Sequence, residues 1–239
     1  MASKSHRYLE ARAKAERETR HSLSEGVRIV RELATAKFDE TVEMCVLLGV
    51  NPRDSEQVVR GTCVLPHGTG RTVRVLALVR GEHADEAREA GADYVGDEEY
   101  VEKIEEGWLD FEVVVATPDM MRDIGKLGRI LGPRGLMPSP KTGTLTEDVS
   151  KAVQEAKAGK ISFRVDRQGN LHAPVGKASF EPEALEQNAM TLVEKLTQLR
   201  PSSAKGPYLR RAALSSTMGP GIKIDVSDLR SRLLERGVR

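Results

Sequence analysis

Aromatic side chains are scarce in this chain, at 4% of 239 residues. That excludes a surface built mainly of base-stacking rings. Cysteine is nearly absent too. Cys45 and Cys63 stand far apart and unaccompanied, and read more readily as buried free thiols of a reducing cytoplasm than as a disulfide. No apolar run approaches the roughly 18–20 residues that cross a bilayer, so no membrane is expected. Residues 1–20 alternate Lys or Arg with Glu and lack the apolar core of a signal peptide.

Catalytic signatures are missing as well. The five histidines, His6, His21, His67, His83 and His172, form no H-x-x-x-H pair, and there is no C-x-x-C and no Gly-x-Ser-x-Gly. Gly68-Thr69-Gly70 lacks the third glycine of a dinucleotide loop and precedes a strand where that motif follows one. Residues 135–142 nearly match a phosphate loop, but Pro140 replaces its second glycine and has no N–H for a phosphate. Residues 82–119 hold 14 Asp+Glu against 2 Lys+Arg, which a solvated acidic face explains more simply than a general acid/base pair. No enzyme activity, cofactor or metal is expected.

What the sequence does have is a division of charge. Residues 1–67 and 160–239 carry 25 Lys+Arg against 18 Asp+Glu, a balance of +7; residues 68–159 carry 12 against 18, a balance of −6. The overall +1 conceals a basic outer part and an acidic inner part. Such asymmetry suits a partner of high negative charge, though a chance distribution among solvated faces gives the same counts.

Periodicity divides the chain at the same places. Leu23, Val27, Val30 and Leu33 share one helical face. Residues 38–48 change to period two, with Phe38, Glu40, Val42, Met44 and Val46 on one side and Thr41, Glu43, Cys45 and Leu47 on the other, as in a half-buried strand. Residues 60–65 make a second short strand. Strand and helix then alternate: strands at 72–79 and 112–116, helices at 84–90, 120–131 and 149–158, the pattern of a parallel sheet with helices on both faces. From Lys160 the rhythm reverts, with a hairpin of 161–166 and 170–175 around Arg167-Gln168-Gly169, a helix at 181–199, and final strands at 208–215 and 222–226. Neither outer block has strands enough for a sheet of its own. The expected architecture is therefore α+β with an inserted α/β part: a discontinuous domain from 1–67 plus 160–239, and a doubly wound, Rossmann-like domain at 68–159, with a hinge at the two linkers.

Four places could touch RNA. A strand edge with Lys37, Phe38, Thr41 and Glu43 offers a cation and short polar groups suited to sugars and phosphates. The 161–175 hairpin puts Arg164, Asp166 and His172 on one face if its register is regular. Lys205, Arg210 and Arg211 bracket Gly206-Pro207-Tyr208. Ser215, Ser216 and Thr217 run into Met218-Gly219-Pro220-Gly221, where bare glycine backbone allows close approach and Met218 can adapt to a ribose or base. Spacing alone serves ordinary solvent-facing strands and loops equally well.

Longer strings add to this. Ala36-Lys37-Phe38-Asp39-Glu40-Thr41, Val59-Arg60-Gly61-Thr62, Leu65-Pro66-His67-Gly68, Ala90-Gly91-Ala92-Asp93-Tyr94-Val95-Gly96, Leu127-Gly128-Arg129-Ile130-Leu131-Gly132-Pro133-Arg134-Gly135-Leu136, Val175-Gly176-Lys177-Ala178-Ser179-Phe180 and Thr217-Met218-Gly219-Pro220 resemble the bacterial large-subunit ribosomal protein of the side stalk, the "L-one" family. The resemblance covers nearly the whole chain and takes in the failed phosphate loop. It implies a two-domain protein of the cytoplasmic ribosome that binds a junction of large-subunit ribosomal RNA. The same resemblance implies a mobile arm beside the exit path of deacylated tRNA, which it would touch transiently, and repression of its own message through a similar RNA structure. A free monomer is expected. By motif it carries over Lys37, Phe38, Thr41 and Glu43 with Thr217, Met218 and Gly219; Asp166 and His172 follow less securely, and Ser215 and Arg164 come from the residue reading. The tail from Asp228 on reads as a short exposed helix.

Overall fold

Val42, Met44, Val46 and Leu48 are buried, Glu43 is exposed, and Thr41, Cys45 and Leu47 are half-buried. That alternation makes strand β1, Thr41–Leu48. A computed structural model describes residues 5–15, 18–81 and 83–237. The chain divides into two units, residues 1–70 with 161–239 and residues 71–160.

The first unit holds helices α1, His6–Lys14, and α2, Leu23–Leu33, strands β1 and β2, Arg60–Val64, and, after the second unit, β6, Lys160–Arg164, β7, Asn170–Lys177, α8, Pro182–Gln198, β8, Leu209–Ser216, β9, Ile222–Ile224, and α9, Val226–Glu235. Four strands form one sheet in the order β7-β1-β8-β9, with antiparallel pairing throughout. β1 is thus an interior strand, not the edge that its polar residues suggested; its backbone is paired on both sides, and only its outward side chains and the segment leading into it remain available.

Helices α2 and α8 cover one face of this sheet. Ser22 starts α2 by accepting the Glu25 N–H at 3.3 Å, and Leu23, Val27, Val30 and Leu33 are buried. Gly26 lies inside this helix at about 1 kcal/mol of helix propensity. A Cβ there would stand 2.2 Å from Ile224 Cδ1, so glycine lets α2 rest on β9 without turning that side chain aside. Leu185, Ala189, Leu192 and Leu196 of α8 join the same core. Burying each leucine stabilises by about 1.5–3 kcal/mol.

Several expectations need correcting. Strands β6 and β7 do not form a regular hairpin: β6 pairs with β2, β7 with β1. The Asp166 N–H reaches the Asn170 carbonyl at 2.8 Å, while the Val165 N–H turns away to the Val59 carbonyl at 3.0 Å. The tail is no free helix. Leu229 and Leu233 of α9 are buried, Asp228 accepts the Leu23 N–H at 2.8 Å, and Arg232 bonds Asp228, Glu186 and Ser24. Cys63 is buried but Cys45 is only half-buried, and both are free.

The second unit has three parallel strands in the order β4-β3-β5: β3, Val75–Leu78, β4, Tyr94–Gly96, and β5, Val113–Ala116. Val75, Ala77 and Val79 meet helices α3, His83–Glu89, and α7, Val149–Lys157. Leu76 and Leu78 meet α4, Glu98–Glu105, α5, Met121–Ile124, and α6, Gly128–Arg134. Both faces are covered, which is why every residue of β3 is buried. The single helix expected over 120–131 is broken into 3₁₀ turns at Pro118–Met120 and Gly125–Leu127 between short α segments, because its apolar spacing of three and four residues suits either form. In the failed phosphate loop, the amides of Lys141, Thr142, Gly143 and Thr144 all bond within the loop, to Ser139 Oγ, the Ser139 carbonyl or the Pro140 carbonyl. Among the described residues no helix is long and apolar enough to cross a membrane, and no group of three or more His, Cys, Asp or Glu is gathered to hold a metal ion.

Candidate nucleic-acid interface

Two segments far apart in sequence meet at the start of β1. The Glu40 side chain, 1% exposed, accepts the Ala36 N–H at 2.9 Å through one oxygen and the Met218 N–H at 2.8 Å through the other. Beside it the Thr41 N–H donates to Thr217 Oγ1 at 3.0 Å, and the Thr217 hydroxyl lies 3.3 Å from the Thr41 carbonyl. A single carboxylate thus fastens the loop before β1 to the loop after β8. Burial by itself would raise the Glu40 pKa; the Met218 and Ala36 amides, with lesser help from Ser216 and Arg7, outweigh it and hold the carboxyl below its ordinary 4.5.

This fastening is why the strand begins at Thr41 and not at Phe38. Asp39 accepts the Ser179 N–H at 3.1 Å and its hydroxyl at 2.8 Å, and the Glu40 carbonyl accepts the Ala178 N–H at 2.8 Å. Residues 36–38 are left as a bend in which Phe38 is 55% exposed, against its expected place on the buried side. Met218 is 50% exposed. The two are large apolar side chains held outward by polar bonds behind them. Lys37 is exposed, with no side-chain partner among the described residues. Lys177 donates to Thr41 Oγ1 at 2.9 Å and to the Asp39 carbonyl at 3.3 Å, keeping a second cation at the same place. A Cβ on Gly219 would meet Ser216 Oγ at 2.4 Å, so a side chain there would displace the Ser216 hydroxyl behind the Met218 turn.

From this junction the uncovered face of the sheet continues in rows. Glu43 lies between Pro174 and Ser215, Cys45 between His172 and Ala213, and Leu47 between Asn170 and Arg211. Glu43 and Ser215 are therefore neighbours on one face, and His172 Nε2 lies 3.9 Å from Cys45 Sγ. Burial, with the Asp166 charge behind it, pushes the Cys45 thiol up, so this is no activated thiolate. Asp166 is turned inward on its own loop. Its carboxylate accepts the Asn170 and Gln168 N–H groups at 2.8 Å each and the Asn170 side chain at 3.2 Å, bonds that lower its pKa. Arg164 belongs to the other sheet and is not brought into these rows.

Lys37, Phe38, Thr41, Glu43, Ser215, Thr217, Met218 and Gly219 are thus gathered at one end and face of the sheet, with His172 one row further on. The residue missed in the sequence is Glu40. An acid between Asp39 and Thr41 reads there as one more polar residue, and only its bond to an amide 178 positions away reveals its place.

Charge follows the division into units. In the second unit Arg74 pairs with Asp110 and Glu112, Arg80 with Glu98 and Asp123, and Arg88 with Asp85. In the first unit Lys37, Arg164, Lys205, Arg210 and Arg211 form no ion pair among the described residues, and all are exposed. Against known families, the model of the ribosomal protein L1p/L10e family matches residues 30–220, a span that begins in α2 and ends just past the Met218 loop.

Proposed function

The chain belongs to the ribosomal protein L1p/L10e family, and from that premise we propose that the junction fastened by Glu40 is its grip on ribosomal RNA. Membership makes it a structural protein of the large ribosomal subunit that binds ribosomal RNA. The observation that carries the site is the exposure of Phe38 and Met218 on two loops that one buried carboxylate and the Thr41–Thr217 bonds tie together. Structured RNA is read by shape, by 2′-hydroxyls and by stacking on splayed bases. Two outward apolar side chains among hydroxyls, glycine backbone and the cations Lys37 and Lys177 suit that mode.

Replacing Thr217 by Ala and Met218 by Val should each weaken binding to a fragment of the large-subunit stalk junction by about ten-fold, the size of one lost hydrogen bond or apolar contact. Binding is measured at fixed salt, with thermal unfolding as a check on the fold. Wild-type affinity in both variants would sink the site.

The finer role we propose is that of the side stalk, a mobile arm attending release of deacylated tRNA from the exit site. The same surface would repress translation of its own message, since an RNA imitating the ribosomal junction would fit one rigid grip equally well. A reporter carrying the chain's own leader RNA should fall several-fold on overexpression of the protein and recover with the Met218→Val variant. A reporter indifferent to excess protein removes the regulatory role.

A further inference from the structure

We propose that the uncovered face of the first unit's sheet carries a second anchoring site, for the phosphate backbone of the RNA strand held at the Glu40 junction; it rests on that reading of the junction. The site is a groove of about 410 Å³ at the opposite end of β8, with Arg20, Arg210, Arg211 and Lys223 as its charged lining. No acidic residue lines it.

Local geometry explains why two consecutive arginines share it. Successive residues of a strand point to opposite faces, which would send one of the pair inward. Pairing of β1 with β8 slips here, from Leu47 opposite Arg211 to Leu48 opposite Leu209. Arg210 is the extra residue of this β-bulge, freed from the alternation. Both arginines are exposed, and neither has an ion-pair partner among the described residues.

Their neighbours weaken this charge only in part. Lys223 is bonded to Glu18 at 3.2 Å, but that carboxylate is 88% exposed, a pairing worth little in water. Arg20 lies close enough to Asp225 to lower its pKa, behind the stronger effect of that carboxylate's own bonds to Ser227. Burying two unpaired guanidinium groups side by side would cost much; leaving them side by side and exposed suits a polyanion. The floor between them is lined by Cys45, Leu47 and Ala213, an apolar strip against which sugars can lie.

Position supplies the rest. Thr217, just past the end of β8, is six residues from Arg211, about 20 Å at the rise of a β-strand. The rows of Glu43–Ser215 and His172–Cys45–Ala213 run between the two ends. A strand of RNA held at Met218 and continuing over the sheet would bring its phosphates to the arginines.

Affinity of the full chain for the stalk-junction fragment, from low to high salt, tests this. Each phosphate contact contributes about 0.7–0.9 to the slope of log affinity against log salt. The double variant Arg211→Gln, Lys223→Gln should have a slope shallower by about 1–2 and bind roughly ten-fold or more weakly at about 0.1 M salt, while melting with the wild type. Met218→Val should weaken binding with the slope unchanged. An unchanged slope in the double variant overturns the anchoring site, as does an equal flattening by Lys151→Gln, which removes one exposed charge elsewhere. If the wild type binds the fragment no better than unrelated RNA, the junction reading falls, and the anchoring site with it.

Discussion

Glu40→Gln is expected to destabilise the first unit by about 1–3 kcal/mol and to weaken RNA binding more than ten-fold. Glutamine fills the same space but has one carbonyl where the carboxylate has two acceptors. Its NH₂ must then face either the Ala36 or the Met218 N–H, donor against donor in a site 1% exposed. Whichever amide loses its partner, one of the two loops comes away and takes Phe38 or Met218 with it. Denaturant unfolding and fragment binding, measured together, check both effects. Wild-type affinity in a destabilised protein would confine Glu40 to stability.

Acid should imitate the variant. The folded carboxyl titrates below its ordinary 4.5, so between the two values the unfolded chain holds the extra proton. The stabilisation is therefore complete above about pH 4.5 and is lost as pH falls through the lower, folded value. Glu40→Gln should flatten that part of the stability curve.

Asn188→Ala should cost about 3 kcal/mol or more. This side chain is fully buried in α8, and each of its polar atoms has work. The carbonyl accepts the His67 N–H at 3.1 Å, and the amide donates to the Gly68 carbonyl at 3.0 Å and the Val175 carbonyl at 2.8 Å. Val175 is itself the extra residue where β7 slips past β1, between Gly176 opposite Val42 and Pro174 opposite Glu43. Its carbonyl has left the regular ladder, and Asn188 supplies the bond. Alanine would orphan three backbone groups at roughly 1 kcal/mol or more each. Asn188→Leu keeps the branched shape without the polar atoms and should do no better. If leucine restores the melting temperature, packing and not hydrogen bonding is what the position requires.

Elements set by local pattern were legible in the sequence. Residues 23–33 are a helix over the residues that the apolar face predicts, because Leu23, Val27, Val30 and Leu33 carry the period. The alternation of Val42, Met44 and Val46 gives the buried side of β1. Of the site, the hydroxyl-glycine turn at 215–219 and the polar approach to β1 were readable as parts, since each has unusual local chemistry. What joins them was not. Glu40 has nothing local to distinguish it, and Asn188 looks like a polar interruption of an amphipathic helix. Arg210 gains its exposure from a slip in pairing that depends on β1. The parting of β6 from β7 likewise depends on β2, a strand about a hundred residues earlier.

The central place of β1 also sets a timetable. Both of its sheet neighbours, β7 and β8, lie beyond the second unit in the chain. At roughly 5–20 residues per second of synthesis, Glu40 waits about 10–35 seconds for Met218 to be made. Throughout that interval Val42, Met44, Val46 and Leu48 form an unpaired apolar strand, open to other chains. The proposed grip on RNA is among the last things this protein acquires, and the nascent chain must be kept from aggregation until then.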